Sequence, residues 1–536
     1  MNQETPKGFM GIPQYIIISF LTIFAIGPQY FINLSYSMNQ EIVQNSLHFD
    51  SEGLMIPSIL ANIAFALGIP FGPVLTRVLG FKRNYLIMVC IFLLGSIIGV
   101  ISPDLLLLII GRVIQGVSAG ILFLTILPVS LRSFPNKVRN TFLFMVITGL
   151  FGATAMGALF GSLSLSVNTW RWLFILNILS ALLCLIVGYF GLPRNEVHVQ
   201  QKAMDKTGGF LYCLMMIILA IPLCNLMEKG FASLYVWPFF VLAFILAVLF
   251  IFIDLKAENP LIPFRTLKAA KPISGTVMAV ASHVLLVLSI AGINGFVRHN
   301  MDLPFHYLLH FYFWFFIGIV VTAILHTLLY SALGAGKLGI VGSLIVIYVS
   351  FQWRTMSPEI SLSTLYFQIA CLGAGVSMVL VGGALGTAFA GDLHFAPMRS
   401  ATLHSIRNFV GAIITPIVGW FISTQNAIQY ENIRGNLGQF GAEAKSEMAQ
   451  TIHRLVETGM SASEAKTLAS YELIANSKKA AILGAYHHLF TIMLGVAVIM
   501  LIGSIGKMAT GKGNGLVKKE KKSPVSNVKV NPNHIK

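Results

Sequence analysis

The feature that most constrains this sequence is the recurrence of apolar stretches of bilayer length. About fourteen of them succeed one another between Gln14 and Gly506, each near the ~20 residues a helix needs to cross a hydrocarbon core. Their limits read 14–36, 54–75, 84–103, 105–127, 141–165 and 172–192, then 209–227 and 233–253, then 273–295, 308–330, 338–353, 363–390, 400–422 and 483–506. Runs of this length exceed barrel strands. Backbone groups in lipid must also find partners within their own segment, so helices are the predicted form. Composition agrees: 56% of the 536 residues are hydrophobic and only 10% are charged, against roughly 25% in a soluble domain. The expected fold class is therefore all-α and integral to a membrane.

A formal charge of +16 would suit a nucleic-acid partner if it were clustered on one face. It is not. The basic residues fall in alternate connectors: Arg77, Lys82 and Arg83, then Arg132, Lys137 and Arg139, then Arg194, Lys202 and Lys206. The series continues with Lys256, Arg265, Lys268 and Lys271, then Lys337, then Arg399. The first connector of the other set offers Glu41, Asp50 and Glu52. This asymmetry predicts that both termini are cytosolic, in a multi-pass protein of the cell (inner or plasma) membrane. Trp170, Trp237 and Trp353 then fall near the outer ends, as an aromatic belt requires. The stretch after Lys7 is too long for a signal-peptide core and reads as a retained first span. All five cysteines lie inside apolar stretches without metal-ligand spacing and read as small hydrophobes.

Residues 425–482 form a predicted external loop with helical patterning, in which Ser461 and Glu464 read as a capping box opening a helix toward the last span. The tail 507–536 carries Lys518, Lys519, Lys521 and Lys522. It serves either as a topology anchor or as a contact with anionic lipid, worth roughly 1 kcal/mol per lysine. Phe134–Arg139 before the fifth span and Phe395–Arg399 before the thirteenth hint at an internal duplication.

The fourth span reads Gly111-Arg112-Val113-Ile114-Gln115-Gly116, which resembles the R-x-x-Q-G motif of the major facilitator superfamily. Trp170-Arg171-Trp172-Leu173-Phe174-Ile175-Leu176-Asn177 is similar to the W-R-W-x-F-x-x-N signature of the fourteen-helix drug:proton antiporter branch. Asp205–Gly208, Asn259–Pro263, the Arg407-containing thirteenth span and the long loop before the last helix resemble that branch as well. The pattern also departs from it. Where the branch has an acidic residue in the first span, Pro28–Ser35 keeps only Asn33. The cytosolic loop motif retains Gly80, Lys82 and Arg83 but lacks its aspartate. The antiport-associated motif of the fifth span keeps Gly157 and Gly161 without its proline and last glycine.

The resemblance implies two six-helix bundles plus two inserted helices. Residues 1–193 would form the first bundle and 194–272 the inserted pair with its flanking loops. Residues 273–506 would form the second bundle, including the external loop 425–482, and 507–536 a basic cytosolic tail. It further implies secondary transport: export of a small amphipathic compound or drug by alternating access, with proton coupling. Transport of one specific metabolite without proton antiport, and a non-transporting membrane sensor or scaffold, are the alternatives. No P-loop or HExxH is present, and neither an enzyme nor a cofactor or metal is expected. The partners expected are a small-molecule substrate and the lipid bilayer. Protons and an adaptor of an efflux assembly stay open, and nucleic acid is not expected.

Candidate residues follow from charge in lipid. Arg112 costs about 2.5–3.5 kcal/mol at a span centre and is expected to face the bundle interior, with snorkelling to an interface as the alternative. Gln115, Gly116 and Asn33 are grouped with it as a substrate or coupling site. All twenty Asp and Glu lie in loops or near span ends, with Glu228, Asp254 and Asp392 nearest to the interior. If protons drive transport, His283 and His326 are therefore the first candidates to carry one, although packing explains either histidine too. Gly80, Lys82 and Arg83 read as a conformational switch loop. Gly157 and Gly161 serve helix packing or flexing.

Overall fold

The computed structural model describes residues 11–49, 53–135, 138, 141–193, 205–304, 306–439 and 441–511. Within them every regular element is a helix, as patterns of this length demand in lipid. The first eight are α1 (Gln14–Met38), α2 (Gln40–Leu47), α3 (Ile56–Gly68), α4 (Phe71–Leu79), α5 (Phe81–Ile101), α6 (Leu105–Ser133), α7 (Thr141–Ser166) and α8 (Arg171–Gly191). Then come α9 (Lys206–Lys229), α10 (Trp237–Lys256), α11 (Ala270–His299), α12 (His306–Trp353), α13 (Leu362–Ala388), α14 (Ala396–Gln439), α15 (Gly441–Glu457) and α16 (Ala462–Ala509). Twelve of these are long and apolar enough to cross a membrane, and the pair α3 and α4, bent by 53°, makes a thirteenth.

Local chemistry sets the helix ends. Asp104 accepts from the Leu107 amide at 2.8 Å and Asp205 from the Gly208 amide at 3.0 Å, each satisfying a donor that the first turn leaves open. Asp205 thus caps the start of α9. Ser461 and Glu464 form the expected capping box, and the helix it opens runs unbroken into the last span. The loop at Asn259–Pro263 is tied to α10 by Asp254, whose Oδ1 accepts from the amides of Leu261 (2.8 Å) and Ile262 (3.3 Å). Asp254 is the one buried acidic side chain among the described residues.

At ~1.5 Å per residue, the 48 residues of α12 would reach about 72 Å, more than twice a bilayer core. The helix is broken at Gly334, whose φ of 76° and ψ of 170° leave the helical region. Gly80, between α4 and α5, adopts nearly the same conformation, with φ 80° and ψ 157°. Only glycine occupies that region without strain.

Packing follows a matching duplication. In the first half, α1 packs on α6, α7 and α8, and α5 on α6 and α8. In the second half, α11 packs on α13, α14 and α16, and α12 on α13 and α16. The halves meet where α7 touches α12 and where α3 touches α14. The pair α9 and α10 pack on each other, and α9 leans on α3 and α14, with the Tyr212 hydroxyl donating to the Ala66 carbonyl at 3.0 Å. On this scheme the two segments singled out as a duplication precede equivalent helices, α7 and α14. Asn136, Lys137, Arg139, Lys202 and the tail lysines lie outside the described residues.

Apolar surface offers no drive for helix association in lipid, so close backbone approach supplies it. A Cβ on Gly116 would sit 2.4 Å from the Ala61 carbonyl oxygen of α3, and one on Gly157 would sit 2.5 Å from the Phe31 carbonyl oxygen of α1. A Cβ on Gly161 would come within 3.1 Å of the Ser35 Cα. The Gly161 carbonyl also accepts from Asn39 Nδ2 at 3.0 Å. These glycines seat α6 on α3 and α7 on α1.

Candidate functional site

Arg112 is fully buried on α6. It faces the bundle interior, as the cost of its charge in lipid predicts. Its Nη1 donates to Gln115 Oε1 at 3.1 Å, one helical turn on, and its Nη2 to Asn33 Oδ1 on α1. The network runs further: Gln115 Nε2 donates to Ser96 Oγ on α5 (2.9 Å) and Asn33 Nδ2 to Asn62 Oδ1 on α3 (2.9 Å). Gln29 Nε2 lies 3.4 Å from the same Asn33 oxygen. Four helices are thereby joined through one guanidinium, which also lies 5.8 Å from the Tyr36 ring centroid. Among the described residues its charge has no carboxylate partner within salt-bridge distance and its Nε no hydrogen-bond acceptor. Gly116 lines no polar site and serves the α3–α6 contact instead.

A cavity of about 940 Å³ lies between the two halves. Its walls come mainly from α1, α3, α6 and α7 on one side, with Gln40 of α2, and from α11, α12, α13 and α14 on the other; the two sets of four are equivalent under the duplication. Neither α9 nor α10 contributes. Asn33, Gln29 and Asn62 reach the cavity surface while Arg112 and Gln115 stand behind them. Asn33 therefore connects the cavity to the buried arginine. The rest of the lining is mostly apolar and aromatic, including Phe315 and Phe316 of the aromatic run in α12.

The second polar group belongs to the other half. Arg407 and His404 of α14 and His283 of α11 all line the cavity, and His283 packs against α14, where a Cβ on Gly411 would lie 2.4 Å from its Nε2. Arg407 is 8% exposed and its Nε has no acceptor; His404 is 7% exposed and its Nδ1 has no partner. Across from them stand the aromatic rings of Tyr30, Phe65 and Phe123. The His404 ring meets Phe123 edge-on at 5.0 Å, and the Arg407 guanidinium lies 5.8 Å from the centroid of the same ring. Tyr30 is within hydrogen-bonding reach of Arg407.

The two candidate histidines separate. His283 joins this cluster. His326 does not line the cavity: it is fully buried in α12, with Nδ1 at 3.2 Å from the Thr322 carbonyl and its ring stacked on Tyr330. His404, which the sequence sets near a span end, proves to be a cavity residue. Its neighbour Arg407 is the site residue that sequence reasoning left in the background. The signal was available, since Arg407 is a lone cation in an apolar stretch, as Arg112 is.

At the start of α5, Lys82 Nζ donates to the carbonyls of Tyr189 (2.6 Å) and Leu192 (3.3 Å) at the end of α8, where a cation also meets the helix dipole favourably. Arg83 is exposed. In place of a carboxylate, a neutral bridge ties this region to α6: Asn84 Nδ2 donates to Thr76 Oγ1 (3.0 Å) and to Thr125 Oγ1 (2.9 Å). In the second half, Arg399 and Lys507 bind the carbonyls that end α13, with Lys507 Nζ at 2.6 Å from the Gly386 oxygen and Arg399 Nη2 at 2.8 Å from that of Ala388.

Known proteins carry the same plan. Two solved structures superpose over 93% of this chain: a bacterial homolog of the human lysosomal transporter Spinster, in an inward-facing, unoccupied conformation, and a variant of the nucleoside transporter NupG. The first has a TM-score of 0.52, 13% identity and 97% coverage of its own chain; the second has 0.53, 11% and 100%. At that identity the likeness concerns the fold. In sequence, the uncharacterized MFS-type transporter YubD of Bacillus subtilis is 30% identical over 431 residues, covering 80% of this chain and 84% of that protein. The quinolone resistance protein NorB of Staphylococcus aureus is 33% identical over 195 residues, or 36% of this chain and 41% of that one. The sequence profile of the Major Facilitator Superfamily matches residues 16–419. With its duplicated helix packing and a cavity between the halves, this chain belongs to the Major Facilitator Superfamily of multi-pass membrane transporters.

Proposed function

We propose that this protein exports a small amphipathic compound by alternating access, as a fourteen-span transporter of the drug:proton antiporter branch. The observation that carries the reading is the cavity of about 940 Å³ shared by equivalent helices of the two halves. Rocking of one half against the other exposes such a site to each side in turn. Its apolar and aromatic walls suit an amphipathic substrate, and the partial match to a quinolone resistance protein supports export. Dividing α12 at Gly334 and joining α3 to α4 supports the fourteen-span count. On this reading 1–193 and 273–506 are the two bundles, 194–272 the inserted pair, 425–482 an external loop and 507–536 a cytosolic tail, with both termini inside. His283 carries the coupling proton, because it reaches the cavity and His326 does not.

The test is a resistance screen in cells lacking their main efflux pumps, run with and without an uncoupler. Export predicts raised resistance that the uncoupler abolishes. A second reading, a facilitator of one specific metabolite without proton antiport, is favoured by one observation: among the described residues no Asp or Glu lines the cavity. Transport that ignores both pH and uncouplers would select it. A sensor or scaffold predicts that an Arg112→Leu protein in the membrane keeps its phenotype.

A further inference from the structure

Among the described residues the cavity holds cations and no counter-charge. Arg407 and His404 lie at its surface, each more than nine-tenths buried, and each has a nitrogen with no hydrogen-bond partner. His283 and Arg132 are the other ionisable groups on the lining apart from tyrosines, and among the described residues no carboxylate faces any of them. Every ion pair in the described residues lies elsewhere, on side chains at least one-third exposed. A buried guanidinium without a counter-charge is destabilising, and neutral neighbours such as the Tyr30 hydroxyl and the Phe123 ring offset only part of that. An anion placed there restores the missing charge-assisted hydrogen bonds. Beside the cations, the Tyr30, Phe65 and Phe123 rings offer apolar contact for the remainder of a ligand.

We infer that the cavity takes an amphipathic organic carboxylate, its anionic head between Arg407 and His404 and its apolar body along the aromatic wall. A lipophilic cation would find like charge at the same place and is disfavoured. The inference rests on reading this cavity as the substrate site of a transporter.

The test measures binding to the purified full chain in detergent, using three probes that share one apolar body: naphthylbutyrate, its neutral amide, and naphthylbutyl-trimethylammonium. The expected result is that the carboxylate binds about tenfold or more tighter than the amide, and that the ammonium binds weakest. Arg407→Gln should bring the carboxylate's affinity down to that of the amide, and an unchanged thermal unfolding profile in detergent shows that the variant is folded. His404→Gln should give a smaller loss of the same kind. The inference is overturned if the ammonium binds as tightly as the carboxylate, if none of the three binds, or if the carboxylate preference survives in Arg407→Gln. Proteoliposomes separate the two layers. Selective carboxylate binding without movement across the bilayer would refute transport and leave the ligand class standing. Movement of amide and ammonium without carboxylate preference would do the reverse.

Discussion

Replacing Arg112 by Leu separates stability from function, because the structure predicts little net change in the first and a large loss in the second. The substitution removes a fully buried cation that has no carboxylate partner, relieving about 2.5–3.5 kcal/mol of burial cost. Two acceptors lose their donor, Asn33 Oδ1 and Gln115 Oε1. Asn33 Oδ1 keeps the Gln29 amide at 3.4 Å, so one acceptor rather than two is left unsatisfied, at roughly 1–3 kcal/mol. The terms nearly cancel, and the unfolding free energy should stay within about 2 kcal/mol of the wild type. Transport should fall about tenfold or more, since Asn33 and Asn62 are held at the cavity surface by a network that the guanidinium anchors. Lys should restore transport only in part, because an ammonium lacks the planar fork that reaches Asn33 and Gln115 together. Thermal unfolding in detergent and uptake into proteoliposomes, measured on the same preparations, give both readouts. Full transport in the Leu variant would refute the assignment.

Other contacts yield sharper contrasts. Gly157→Ala should destabilise by about 1–3 kcal/mol, because its Cβ meets the Phe31 carbonyl oxygen at 2.5 Å, whereas Gly152→Ala, whose Cβ lies 3.6 Å from the Phe316 ring, should be tolerated; thermal unfolding compares them. Lys82→Met should cost about 1–2 kcal/mol through the lost bonds to the end of α8, while Arg83→Ala, at an exposed position, should change stability by less than about 0.5 kcal/mol. In a cysteine-free background, an impermeant thiol reagent on intact cells should label Ser463→Cys and spare Arg83→Cys, and the reverse pattern would invert the proposed orientation. If transport is proton-coupled, His283→Gln should remove its pH dependence and His326→Gln should not, since only His283 reaches the cavity; uptake rates across a pH series decide this.

Spans, class and family were legible because they depend on local quantities. Apolar stretches matching one hydrophobic thickness and a motif at Arg112–Gly116 need no knowledge of what packs where. The same holds for Ser461 and Glu464, since a capping box closes within one helical turn. Arg112's burial was legible for a simpler reason: a charge in an apolar stretch has few places to go. Its partners were not. Asn33 lies 79 residues away in the chain, and Asn62 and Ser96 come from two further helices, so only the crossing of α1, α3, α5 and α6 brings them together. The roles of the histidines were equally out of reach. His283 and His326 look alike in sequence, each a histidine in the interior of a span. The rotation of its helix turns one toward the cavity, beside Arg407 and His404 from a distant segment, and buries the other against Tyr330. Periodicity fixes that a helix crosses the membrane. Which of its faces meets the other half of the protein is set by side-chain volumes and glycine contacts on neighbouring helices, and those act only once the bundle has assembled.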